Sequence, residues 1–202
     1  MIEDCGELSL TEDDGFLMSS DDGFPAWPDD LAPDARVTTA ARQLEVGEVL
    51  KTAGNTKFKE KDNAAAVSKY SKALRYLDVQ VADADTADAD TAAGLKKTRA
   101  SCLLNRAQAT IKLNEPAKWG TVRADCTAVL AIGGIDQSLQ EKAYYRRSVA
   151  QPDDDDKKAD LKAVLRLNPG NASAKRDLAA IKARYDQQVA SQRKAMQKMF
   201  AS

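Results

Sequence analysis

The sequence predicts an all-α fold built from repeated helix pairs. Three observations carry this. Charged residues make up 30% of the 202 residues and aromatic residues only 5%, and Ala, Lys, Asp and Leu dominate, a balance that suits helices better than a β-sandwich. Beyond Arg42, apolar residues return at i, i+3 and i+4 through most of the chain. Short breakers of Gly, Pro, Asn and Asp separate these stretches, so the helices come in pairs, and a repeated helix pair marks a solenoid.

Residues 9–41 read as an acidic, disordered linker. Residues 1–34 hold eleven Asp or Glu and no Lys or Arg, and Pro25, Pro28 and Pro33 bar a long helix. The first helix then shows Val46, Leu50, Ala53 and Phe58 on one stripe, up to a turn at Lys61-Asp62-Asn63. Its partner carries Ala66, Val67, Tyr70, Ala73, Leu74 and Leu77. Residues 78–94, with Ala-Asp-Ala-Asp-Thr written twice, read as a loop, with a helix extension as the alternative. Residues 96–113 form the next helix, broken by Asn114-Glu115-Pro116, and residues 119–132 form its partner, ended by Gly133-Gly134. Residues 138–151 run up to Pro152, and residues 157–167 end at Asn168-Pro169-Gly170. Asn171 suits the N-cap of a last helix running to Phe200. The repeats therefore span residues 42–170, and a basic amphipathic helix spans residues 171–202.

Composition also narrows the chemistry. The chain has no His, which removes the commonest general base and zinc ligand. Cys5, Cys102 and Cys126 stand singly, so no metal or cofactor site is expected, and Cys102 and Cys126 fall on apolar helical positions suited to a core. An odd cysteine count, an acidic start and no apolar run of membrane length point to the cytoplasm, with the nucleus as the alternative. A formal net charge of -1 and basic residues without interleaved aromatics argue against nucleic acid. In the last helix Leu178, Ile181, Tyr185, Val189, Met196 and Met199 form a stripe, with seven Lys or Arg between residues 175 and 198. The expectation is a cap whose first half packs and whose end protrudes. Calmodulin binding is the alternative, and a membrane surface is disfavoured because the stripe lacks a continuous large apolar set.

Gly54-Asn55, Phe58, Ala66, Tyr70 and Ala73-Leu74 resemble the tetratricopeptide repeat at its small, aromatic and alanine positions. In that register Gly54, Ala107 and Ser148 take the small position where paired helices approach closely. The resemblance implies three repeats and a capping helix, the cap giving the array a polar end. Two departures stand out. The turn of the second pair, around Asn114–Thr121, is about three residues too long for the repeat, and the third pair is about three too short, with Pro-Asp-Asp-Asp-Asp at residues 152–156 in place of the usual helix end and turn. The packing of the third pair is therefore an open point.

The same register singles out Lys51, Asn55, Asn105, Lys142 and Arg146. They hold repeat positions spaced i, i+3, i+4 and i+7, which is one helical face, and in a solenoid the first helices of each pair line the concave surface. Three cations suit the two carboxylates of a chain-terminal Asp, Arg146 through its planar fork and the lysines as point charges. The two Asn can donate and accept along an extended peptide. The bland alternative is that these residues only solvate a helix face, although a mid-helix Asn such as Asn105 calls for a reason. The pattern is similar to that of tetratricopeptide co-chaperones. It implies a Glu-Glu-Val-Asp type tail of heat-shock protein 90 as ligand, with the seventy-kilodalton chaperone tail left open.

The ends narrow the resemblance. Ile2-Glu3-Asp4-Cys5-Gly6-Glu7-Leu8 is similar to the last strand of a cyclophilin domain, so residues 1–8 read as its remnant. Asp22-Gly23-Phe24-Pro25-Ala26-Trp27-Pro28-Asp29-Asp30, Leu74-Arg75-Tyr76-Leu77-Asp78, Tyr145-Arg146-Arg147 and the ending Lys194–Phe200, with its closing Lys-Met-Phe, resemble the cyclophilin-40 type of peptidyl-prolyl isomerase. Without the rest of the cyclophilin domain, the expectation is a co-chaperone adaptor and not an enzyme. The alternatives are a fragment of an isomerase and a scaffold that binds an internal segment of a partner.

Overall fold

In the first helix pair, Thr39 caps α1 (Ala40–Lys59), its hydroxyl accepting from the Arg42 amide at 3.2 Å. Val46 and Leu50 on its inner stripe are fully buried. Lys61 turns the chain in the left-handed region (φ 64), and Asp62 caps α2 (Asn63–Leu77) by accepting from the Ala65 amide at 2.9 Å. Ala66, Tyr70, Ala73, Leu74 and Leu77 are buried, as their spacing predicts. Gly54 lets the two helices meet: a Cβ there would stand 2.6 Å from Cε1 of Tyr70.

This computed structural model describes residues 22–33 and 35–200, with every side chain among them except that of Lys198. The strand remnant expected at residues 1–8 and the first part of the linker lie outside these residues. The chain divides into two units, Met1–Cys102 and Leu103–Ser202, with the boundary inside α3 (Ala89–Leu113).

Two expectations for the first unit are corrected. Residues 22–33 are not free linker. Their segment lies along α2, where the Asp22 carboxylate binds Lys69 (2.7 Å) and Lys72 (2.6 Å), and Lys72 also donates to the Phe24 carbonyl. Arg75 donates to the Ala26 carbonyl and stacks on Trp27, and Tyr76 donates to the Pro25 carbonyl at 2.9 Å. The prolines that bar a long helix there leave an extended chain whose carbonyls α2 can collect, with one 3-10 turn at Pro28–Asp30. Residues 78–94 are also not loop throughout. Asp88 accepts from the amides of Asp90 and Thr91 and so starts α3 at Ala89.

In the second unit α4 (Trp119–Ala131), α5 (Gln137–Ala150), α6 (Asp154–Leu167) and α7 (Ala172–Phe200) follow the last turns of α3. The two irregular turns are absorbed without loss of the pairing. The extra residues after α3 make a left-handed Asn114 (φ 54) and a 3-10 turn at Pro116–Lys118. The Asp run is a helix start: Asp153 accepts from the Asp155 amide at 2.7 Å, and three further acids in the first turn of α6 favour its positive end. A matching ion pair then locks each pair of helices. Arg106 on α3 holds Asp125 on α4 at 2.6 Å, and Arg147 on α5 holds Asp160 on α6 at 2.6 Å. Their sequence separations, 19 and 13, differ by the length of the irregular turns, yet both carboxylates are buried in the same kind of fork. The third pair therefore packs: Leu161, Val164, Ala174 and Ile181 form a core against Tyr144, Tyr145, Leu165 and Leu178.

Glu141 accepts from Asn168 (2.9 Å) and Asn171 (2.7 Å), and Asn171 caps α7 through the Ala174 amide. The first turns of α7 bury Ala174 and Ile181, whereas Tyr185, Met196, Met199 and Phe200 are exposed. No helix among the described residues is long and apolar enough to cross a membrane.

Candidate peptide-binding residues

Lys51 and Asn55 lie one turn apart on α1 in the first unit. Both are half-buried. Tyr70 reaches from α2 and donates its hydroxyl to Asn55 Oδ1 at 2.8 Å, which fixes the carbonyl end of that amide. Lys51 is engaged by a neighbour that the sequence reading passed over. Its Nζ bonds both oxygens of Glu48, at 2.6 and 2.5 Å. The buried Thr98 of α3 donates its hydroxyl to the same carboxylate. Burial pushes the Glu48 carboxyl up, but the bonds from Lys51 and Thr98 and the nearby Lys97 outweigh it and hold the group below its ordinary value.

The other three residues belong to the second unit. Asn105 stands half-buried on α3, and Lys142 and Arg146 stand one turn apart on α5. Arg146 donates from Nε to Gln108 Oε1 (3.0 Å) and from Nη1 to the Leu104 carbonyl (2.8 Å). It thus grips the turn of α3 that carries Asn105, so its fork has a structural role as well as a positive charge. Lys142 is exposed. The i,i+3 spacing of Glu48 and Lys51 could have flagged their pair, but nothing in the sequence marks Thr98, 50 residues away, as the anchor. Among the described residues no cluster of His, Cys, Asp or Glu could hold a metal ion.

No family model matches the chain. It is 32% identical over 225 residues to peptidyl-prolyl cis-trans isomerase D of Mycosarcoma maydis, covering 99% of this chain and 55% of that protein. To the protein of the same name from Cryptococcus neoformans var. neoformans serotype D it is 32% identical over 179 residues, covering 86% and 47%. The chain thus spans about half the length of the curated relatives it matches. Among solved structures it is similar to the C-terminal TPR-containing domain of a Plasmodium falciparum FK506-binding protein, with a TM-score of 0.61, 22% identity, and 74% and 95% of the two chains covered. It is also similar to the first TPR of Spaghetti (RPAP3) bound to the HSP90 peptide SRMEEVD, with a TM-score of 0.52, 26% identity, and 74% and 97% covered. The chain has the fold of tetratricopeptide-repeat domains. Its homologues are named peptidyl-prolyl isomerase D, and the tetratricopeptide register of Gly54, Ala107 and Ser148 agrees with three positions that are buried here.

Proposed function

We propose that this chain is an adaptor that binds the acidic carboxyl terminus of heat-shock protein 90, of the Glu-Glu-Val-Asp type. Lys51 and Asn55 of the first unit and Asn105, Lys142 and Arg146 of the second would be its donors. The observation that carries the reading is the likeness to a TPR that holds the HSP90 peptide SRMEEVD. The residue chemistry supports it: Lys and Arg can neutralise the two carboxylates of a terminal Asp, and Asn can bond the peptide backbone on either side. The isomerase activity named in the fungal relatives is that of proteins about twice this length, and we propose that the stretch described here contributes binding rather than catalysis.

Calorimetry with a Met-Glu-Glu-Val-Asp peptide tests this. Amidating the peptide's terminal carboxyl should abolish binding. Lys142→Ala is the cleaner protein variant, because Arg146 also ties α5 to α3. It should cost about tenfold in affinity with an unchanged unfolding midpoint. Equal affinity for the free and amidated peptides would sink the proposal.

A further inference from the structure

We propose that Glu48 is a built-in competitor for Lys51, an internal carboxylate that an acidic ligand must displace or share. The inference rests on Lys51 being a carboxylate donor, as proposed above. An ordinary i,i+3 pair on a helix surface exchanges easily and competes weakly. This one differs in two respects. Lys51 offers its ammonium to both oxygens of Glu48, and its side chain is only 19% exposed. Glu48 is also anchored from a second helix, because Thr98, 2% exposed on α3, donates to Oε1. The anchor means that Lys51 must leave Glu48 and cannot carry it along.

A ligand carboxylate that reaches Lys51 therefore meets a fixed negative charge beside the cation. If it displaces Glu48, the bonds to that group are lost. If it shares the ammonium, the two carboxylates repel. Either way Glu48 lowers affinity. Lys51 thus has a partner already in place.

Glu48→Gln removes the charge and keeps the shape, with an oxygen that can still accept from Thr98. It should tighten binding of an acetylated Met-Glu-Glu-Val-Asp peptide roughly threefold to tenfold. Thr98→Val, which frees Glu48 to swing away, should give a smaller gain. Unchanged or weaker affinity in Glu48→Gln would overturn the proposal, since a residue that merely positions Lys51 would lower affinity when lost. A second readout needs no ligand. Labelling of Lys51 by an amine-reactive ester, followed by peptide mass spectrometry on the full chain, should be faster in Glu48→Gln than in the parent, and equal rates would equally overturn it. Failure of the carboxylate reading itself looks different: the parent chain would not bind the peptide at all, while the labelling rates would still report whether Glu48 occupies Lys51.

Discussion

At Gly54 a single methyl group connects packing to binding. A Cβ there would fall 2.6 Å from Tyr70 Cε1 and 2.7 Å from Cδ1, against a ring that is itself fully packed and cannot fold away like the end of a flexible chain. Moving the ring would pull its hydroxyl from Asn55 Oδ1. Gly54→Ala should therefore destabilise the chain by about 1–3 kcal/mol from overpacking, less up to about 1 kcal/mol regained from helix propensity. Urea unfolding would measure it, and no loss of stability would mean that α1 and α2 can part without cost. Cys126 gives a second residue-scale test. Burial pushes its thiol up to about 12, so the reactive thiolate is essentially absent at neutral pH. Mass spectrometry after treatment with iodoacetamide at pH 7.5 should find Cys126 unmodified in the folded chain and alkylated in urea.

The segment at residues 22–31 and α2 act as one element, and this is where reading the sequence fell short. Helix pairs and the cap at Asn171 were legible because each is written within a few residues, as apolar spacing and an Asn at a helix start, and Gly54 was legible through the repeat register, whereas the Asp caps at Asp62, Asp88 and Asp153 were read as turn or loop. The docked segment is written in two places. Its Asp, Gly and Pro speak locally for linker, and only the three-dimensional placing of Lys72, 50 residues on, turns Asp22 into a buried ion-pair partner. Asp22→Asn would remove the buried carboxylate that Lys69 and Lys72 share, so stability should fall by about 3 kcal/mol. An unchanged urea midpoint would show that the segment adds nothing to the fold. Tyr76 adds a pH signature. Burial, with Asp22 and Asp30 nearby, raises its hydroxyl to about 12 from an ordinary 10.0. A group raised in the folded state stabilises fully below its unfolded value and loses that contribution as pH climbs to the folded one. The stability difference between the parent and Tyr76→Phe should thus hold below pH 10 and shrink between pH 10 and about 12. A difference constant across that window would rule out Tyr76 as its source.

For the molecule as a whole, the formal charge of -1 hides a division into an acidic first stretch and a basic last helix. Net charge cannot draw in an acidic peptide, so any attraction has to come from cations placed locally, such as Lys51, Lys142 and Arg146. Two of these are already committed in the described structure, Lys51 to Glu48 and Arg146 to Leu104 and Gln108, which leaves Lys142 as the exposed charge of the set. Exposed charges are screened within about 10 Å at 0.1 M salt and about 3 Å at 1 M, whereas partly buried ones are screened much less. Raising salt from 0.05 to 0.5 M should therefore weaken binding of the Met-Glu-Glu-Val-Asp peptide by roughly tenfold, and Lys142→Ala should flatten that dependence. Calorimetry of both proteins across the salt series decides it. If the two slopes are equal, Lys142 is not among the charges that hold the peptide, and if neither protein responds to salt, the peptide is not held by its carboxylates.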